Sequence, residues 1–254
     1  MTTKVMPSKV TEMAAAIGWG ALAASSLVIG ALLSFARHWS PRQVGLVLAF
    51  GAGALISAVS FELAQEGIRI GGAGATGIGL GAGALTYFTL DGLIARRFAT
   101  GRGRRGRSEG ASSGAALALG AFLDGIPEQA VLGISIAAGK GVGVALLIAI
   151  FVSNLPEAMG SAEDMRKAGT KREAILRLWL VVAAICTVAT VVGYALADTV
   201  SGNAQAAIDG FAAGALLVML IDSMIPDARA DAGRAAGLVT VLGFALAAGL
   251  SSLT

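Results

Sequence analysis

The chain has 254 residues, of which 56% are apolar and 14% are charged, and its mean hydropathy is +0.77. Soluble globular proteins carry about a quarter charged residues and disordered chains are poor in apolar ones, so the composition excludes both classes. The 36 glycines favour closely packed membrane helices, and the single cysteine excludes an internal disulfide and a cysteine-based zinc site. The net charge of +3 identifies no partner until the charges are assigned to loops.

Apolar segments long enough to cross a bilayer, which takes about 20 residues, follow one another along the chain. The first twelve residues are polar and the apolar run after them is long, so we predict a first span rather than a cleavable signal peptide. The pattern predicts an all-α, polytopic membrane protein with one transmembrane domain over residues 1–254 and a basic loop at 96–112. The eight predicted spans cover about residues 14–35, 43–66, 70–95, 113–138, 141–162, 174–197, 206–226 and 234–253.

Lysine and arginine predict the orientation of these spans. Of the 19 basic residues, 15 fall in the odd-numbered connections and 4 fall on the other side. The positive-inside rule therefore places the odd connections in the cytoplasm and both termini outside a cell membrane, inner or plasma. The basic run Arg102–Arg107 could be read as a nucleic-acid patch, but we favour a cytoplasmic loop that contacts anionic lipid and predict no nucleic-acid partner.

Two internal similarities indicate repeats. Phe50–Leu55 in span two (FGAGAL) resembles Phe211–Leu216 in span seven (FAAGAL), and the two spans are predicted to run in opposite directions. Ile126–Glu128 in span four similarly matches Leu155–Glu157 in span five, because both read as an aliphatic residue followed by Pro-Glu. Repeats that run in opposite directions, as predicted for spans two and seven, are typical of transporters.

Carboxylates inside the predicted spans are functional candidates, because an ionisable residue in the hydrocarbon is costly. Asp124, Glu128 and Glu157 lie near the middle of their spans, whereas Glu62 and Asp222 lie toward the ends of theirs. Asp124 and Glu128 are four residues apart and share one helical face, where like charges repel. They therefore need a cation, a proton or a water-filled cavity.

Each mid-membrane glutamate follows a proline directly, Pro127 before Glu128 and Pro156 before Glu157. A proline inside a helix frees the carbonyl four residues earlier, and irregular backbone at membrane depth is tolerated where it lines a cavity or binds an ion. Ser153, Asn154 and the freed carbonyls complete an oxygen-rich set that suits a divalent cation. The alternative is two proline kinks beside protonated or capped acids.

At these residues the sequence resembles the ZIP family of divalent metal transporters. The span-four motif of that family, His-Asn-x-Pro-Glu-Gly, corresponds to Asp124–Gln129, and its span-five motif corresponds to Ser153–Glu157. The resemblance implies eight spans in a 3+2+3 arrangement with inverted repeats, both termini outside and a long cytoplasmic loop after span three.

The resemblance also implies a set of metal-binding residues. Span four would supply Asp124 and Glu128, span five Asn154 and Glu157 with Ser153 as a weaker candidate, and span two Glu62 as an entrance or exit ligand. Cys186 stands where the family often has a span-six carboxylate for a second metal, although a small buried apolar role is the favoured alternative for it. The motif histidines are missing here, which favours harder ions such as Mn²⁺ or Fe²⁺ without excluding zinc.

By this resemblance the protein is a homodimeric transporter that moves a divalent metal ion into the cytoplasm, with the metal as substrate and no cofactor. A proton-coupled exporter or carrier of another small cation or solute is the alternative. An intramembrane enzyme is disfavoured, because no predicted span contains a histidine to pair with a serine. An aspartyl dyad of Asp124 and Asp222 has no support from their flanking residues.

Overall fold

The structure is a computed structural model that describes residues 9–36, 39–99, 125–126, 128–137, 144–197 and 201–252, and within these ranges all regular structure is helical. Two π-helical turns, π1 (Val59–Ala64) and π2 (Leu220–Met224), extend the ends of two helices. In chain order the helices are α1 (Lys9–Ala36), α2 (Pro41–Ala58), α3 (Gln65–Ala99), α4 (Glu128–Ala137), α5 (Val144–Lys167), α6 (Arg172–Ala197), α7 (Gly202–Met219), α8 (Ile225–Ala232) and α9 (Ala235–Ser251).

Four helical stretches in the described part of the chain are long and apolar enough to cross a membrane. They are Thr11–Ala36, Pro41–Leu93, Arg172–Ala197 and Gly202–Ala232. The helices α4 and α9 are apolar but shorter. The described part of the chain is thus all-helical and has the long apolar helices of a membrane protein, while the count of eight spans and their 3+2+3 arrangement stay predictions.

The 53-residue stretch Pro41–Leu93 contains a reversal of the chain at Gly72. Gly72 has φ 81° and ψ 164°, a backbone conformation that residues other than glycine rarely adopt. A Cβ on Gly67 would lie only 3.2 Å from Cγ2 of Thr76, whereas nine residues of straight helix rise about 13.5 Å. The chain therefore turns back here, and Thr76 Oγ1 donates to the Gly72 carbonyl at 3.0 Å.

A second chain segment carries the same series of landmarks. Four features occur in the same order in both segments. They are a serine N-cap (Ser40, Ser201), the similar hexapeptides, the start of a π turn (Val59, Leu220) and a glycine with positive φ (Gly72, Gly233). Each member of the second set follows its counterpart by the same number of residues. The segments from α2 to α3 and from α7 to α9 are therefore structural repeats, each a long helix with a π turn, a reversal and a second helix.

Close glycine contacts show how the two repeats are oriented. A Cβ on Gly79 would overlap the Ala207 carbonyl, and four residues later a Cβ on Gly83 would overlap the Phe211 carbonyl. Because both contacts advance by four residues, α3 and α7 run parallel. The part of α3 after Gly72 runs in the opposite direction to α2. Because this part is parallel to α7, α2 and α7 run in opposite directions, and the two repeats are inverted.

Three helix pairs use the same reciprocal glycine contact, in which a glycine of each helix faces a backbone carbonyl of the other. Such contacts let backbones approach closely, as is typical of membrane helices. The contacts are Gly83 with Phe211 and Gly214 with Leu80 between α3 and α7, Gly243 with Phe50 and Gly53 with Thr240 between α2 and α9, and Gly133 with Thr190 and Gly193 with Ala130 between α4 and α6. These contacts fix the register within each pair.

The surface of the helix bundle is more apolar than that of a soluble protein, and the mainly apolar core contains a few polar side chains. Large apolar side chains are exposed on the outer faces of α3, α6 and α9, among them Ile78 at 77% and Leu238 at 79%. Buried polar side chains include Glu128, Ser153 and Asn154. An apolar exterior together with a few buried polar side chains fits helices in lipid that enclose a polar site.

Candidate metal site

The glutamate predicted in span four lies in the interior of the helix bundle. Glu128 is the first residue of the described part of α4, is 1% exposed and lies near Cys186 of α6. A Cβ on Gly125 would lie 2.8 Å from Cys186 Sγ, so the chain just before α4 packs directly on the same thiol. Asp124 and Pro127 lie outside the described residues, so the expected pairing of Asp124 with Glu128 stays a prediction.

Gln129, the next residue, connects α4 to α6. Its Oε1 accepts a hydrogen bond from Thr190 Oγ1, and both side chains are fully buried. The Nε2 atom of Gln129 has no hydrogen-bond partner among the described residues. This contact and the glycine pair Gly133 and Gly193 fix α4 against α6, and thereby fix the position of Glu128.

The predicted span-five residues occupy consecutive turns of α5, which continues as one helix through Pro156. Ser153 is 1% exposed and its Oγ donates to the Ile150 carbonyl at 3.1 Å. Asn154 is 2% exposed, and its Nδ2 atom has no hydrogen-bond partner among the described residues. Glu157 is half-buried one turn later, so α5 presents an amide, a hydroxyl and a carboxylate along a short stretch.

The backbone of Ser153 is pressed against α2 at Gly51. A Cβ on Gly51 would lie 3.1 Å from the Ser153 Cα and 2.9 Å from the methyl carbon of Met224, which belongs to π2. Three elements, α2, α5 and π2, therefore meet beside the α5 residues of the site.

Glu62 occupies a different environment from the span-four and span-five residues. It lies half-buried in π1, and its Oε1 accepts a hydrogen bond from Ser251 Oγ of α9 at 2.7 Å. Within the described residues, no three His, Cys, Asp or Glu side chains come close enough to hold one metal ion. Glu62, Glu128 and Glu157 thus do not form a three-carboxylate cluster, and the predicted third carboxylate of the cage, Asp124, lies outside the described part of the chain.

A buried carboxylate on α7, Asp209, is not among the residues predicted from the sequence. Asp209 is 4% exposed and has polar contacts within the structure. It lies inside the predicted seventh span, so the rule that singled out the other intramembrane acids would also have identified it. Asp222, by contrast, is exposed in π2.

Comparison with known sequences decides the family. The family model described as ZIP Zinc transporter matches residues 104–251, which includes both Pro-Glu motifs. The chain belongs to the ZIP zinc transporter family. A protein of Arabidopsis thaliana that is provisionally named a zinc transporter is 27% identical over 213 residues, which cover 82% of this chain and 34% of that protein. The chain spans about a third of the length of this curated relative.

Membership of the ZIP family confirms the resemblance read from the two motifs. The family match agrees with the four long apolar helical stretches in the described part of the chain. All the predicted ligands in spans four and five, from Asp124 to Glu157, lie inside the matched region, whereas Glu62 lies outside it.

Proposed function

We propose that this ZIP protein carries a divalent metal cation across the membrane through a site formed by Glu128, Asn154 and Glu157, with Asp124 and Ser153 beside them. The observation that carries the proposal is the complete burial of Glu128 in a bundle whose exterior is apolar. A buried carboxylate costs several kcal/mol unless a cation or a proton compensates its charge. Because the matched family is described as one of zinc transporters, we infer that the transported metal ion supplies that compensation.

The ligand set favours a hard or borderline cation. Carboxylate, amide and hydroxyl oxygens suit Mn²⁺ and Fe²⁺, and carboxylates also bind Zn²⁺. The only histidine of the chain, His38, lies in the predicted first connection and far in sequence from both motifs. We therefore propose a broader preference than zinc, with the metal as substrate and no cofactor.

The direction of transport is part of the proposal, and the predicted orientation defines only which face is cytoplasmic. With both termini outside and the basic loop 96–112 in the cytoplasm, we propose metal uptake into the cytoplasm by a homodimer in the cell membrane. Spans one, four, five and six would move relative to two, three, seven and eight, as the family resemblance implies. Protonation of the site carboxylates would release the ion.

Flux measurements in liposomes test the site. Purified protein in liposomes that contain a metal-sensitive dye should admit Mn²⁺, Fe²⁺ or Zn²⁺, and Glu128→Gln and Glu157→Gln should lower this flux to that of protein-free liposomes. Glu163→Gln is the matched control on α5, because Glu163 pairs with Lys167 at 3.3 Å and with Arg166 at 3.9 Å, away from the site. Undiminished flux in both site variants would remove the proposed site.

The runner-up function, a proton-coupled exporter of a small cation, is separated by the same preparation. An imposed pH gradient should not reverse the direction of net metal movement if the protein is an uptake carrier. Metal extrusion driven by an inward proton gradient would favour the exporter.

A further inference from the structure

Three polar residues of the proposed site are closed off from solvent in this structure, while Glu157 is half-buried. Glu128, Ser153 and Asn154 are each at most 2% exposed. A metal ion cannot reach or leave them unless some neighbouring group is displaced. The residue that opens the site must therefore touch it and be able to move.

The reciprocal glycine contacts that join the helix pairs are between backbones and resist displacement. The helix pairs α2 with α9, α3 with α7 and α4 with α6 are each fixed by glycines that face carbonyls. Met224 differs from these contacts, because the end of its flexible thioether side chain lies 2.9 Å from the position of a Cβ on Gly51, and the Ser153 Cα lies 3.1 Å from the same position. Methionine has three rotatable side-chain bonds and fills irregular gaps, so it can leave this position without moving a helix.

The π turn explains why Met224 reaches this place. Residues Leu220–Met224 form π2, and this wider turn changes the direction in which the following side chains point relative to the rest of α7. Met224 is 1% exposed and packs in the core, whereas Asp222 and Ser223 of the same turn face outward. Single π turns inside α-helices occur frequently at functional sites.

We propose that Met224 is the gate of the site: its side chain closes the contact between Gly51 and Ser153, and its rotation opens the site toward the membrane face at which α8 ends. The proposal rests on the proposed function for the identity of the site. It adds a residue from π2, a part of the chain outside both Pro-Glu motifs.

Thiol accessibility tests the gate without measuring transport. In a Cys186→Ser background, which removes the only native thiol, Ser153→Cys places a reporter at the proposed opening. A membrane-impermeant, positively charged methanethiosulfonate is applied separately to each face of oriented vesicles. Met224→Ala should make the reporter react about tenfold faster from the membrane face at which α8 ends. The reason is that truncation of the side chain leaves a cavity that neighbouring groups fill only in part.

Two control variants distinguish a gate from general loosening of the bundle. Met224→Leu keeps most of the side-chain volume and should leave the reporter slow to react. Leu63→Ala truncates the counterpart of Met224 in π1, which is also 1% exposed, and should leave labelling from that face unchanged.

The outcomes are decisive in either direction. Equal labelling rates with Met224 and Met224→Ala, faster labelling from the opposite face, or equal acceleration by Leu63→Ala would each overturn the gate. Should the Ser153→Cys protein fail to fold, Asn154→Cys serves as the reporter with the same expected rates. Because labelling needs no metal flux, loss of the transport proposal and loss of the gate give different results.

Discussion

A glycine on α3 offers a quantitative test of how the two inverted repeats interlock. A Cβ added to Gly83 would overlap the carbonyl oxygen of Phe211 and would lie 2.7 Å from its carbonyl carbon, whereas ordinary contacts between carbons are about 3.5–4.0 Å. The obstacle is helix backbone, so α3 and α7 would have to separate by roughly 1 Å. Gly81, two residues earlier on the same helix, has no atom within 4 Å of its Cβ position.

The energies of overpacking and helix propensity predict opposite changes in the free energy of unfolding for Gly83→Ala and Gly81→Ala. Overpacking costs up to about 3 kcal/mol, and the higher helix propensity of alanine returns about 1 kcal/mol, so Gly83→Ala should destabilise by about 2 kcal/mol. Gly81→Ala keeps only the propensity gain of up to about 1 kcal/mol. At about 2–4 °C per kcal/mol, the midpoint should fall by about 4–8 °C in the first variant and rise by a few degrees in the second.

The assay is thermal unfolding of the purified protein in one detergent at one scan rate. The second repeat provides an independent pair of variants, because a Cβ on Gly243 would overlap the Phe50 carbonyl while Gly249 has nothing within 4 Å. Gly243→Ala should therefore behave like Gly83→Ala, and Gly249→Ala like Gly81→Ala. If Gly83→Ala unfolds at the same temperature as Gly81→Ala, the parallel contact between α3 and α7 does not have the geometry described.

Three further variants test other contacts. Thr190→Val should lower stability by about 1–3 kcal/mol because Gln129 would then bury its Oε1 without a partner, and thermal unfolding with Thr190→Ser as the control would check this. Asn154→His should shift competition between metals toward Zn²⁺ and away from Mn²⁺ in the liposome assay, because imidazole is a softer ligand than an amide oxygen; an unchanged ratio would place Asn154 outside the ligand set. Ser40→Ala should cost about 1 kcal/mol, since Ser40 and Gln43 form a capping box at the start of α2, and a midpoint within 1 °C of the parent would contradict that role.

The general class of the fold could be predicted from the sequence because it depends on hydropathy summed over long segments. The exact turning points could not. The break between spans two and three was expected beside Arg69, the polar residue between the apolar runs. In the structure Arg69 stays helical and pairs with Glu66 at 2.6 Å, and the chain reverses at Gly72, where the backbone adopts a positive φ. Polarity indicates that a connection exists, whereas backbone conformation decides which residue makes it.

The site was only partly predictable, for a similar reason. Proline and glutamate at matching positions indicated buried acids from local sequence alone, and Glu128 is indeed buried. The bond from Ser251 to Glu62 and the contact of Met224 with Gly51 each join residues far apart in the chain. No local pattern encodes such contacts, because they depend on how the two inverted repeats pack against each other.

The inverted repeats give this transporter two similar backbones with different chemistry. Val59 and Leu220 begin equivalent π turns, but π1 holds Glu62 bonded to α9 while π2 exposes its acid, Asp222. The residues buried at matching positions also differ, because π1 has the stiffer Leu63 where π2 has the flexible Met224. A backbone that is symmetric about the membrane midplane treats both faces alike. A difference between the faces must therefore come from side chains, and this pair is a place where the two halves differ in the ease with which a side chain can move.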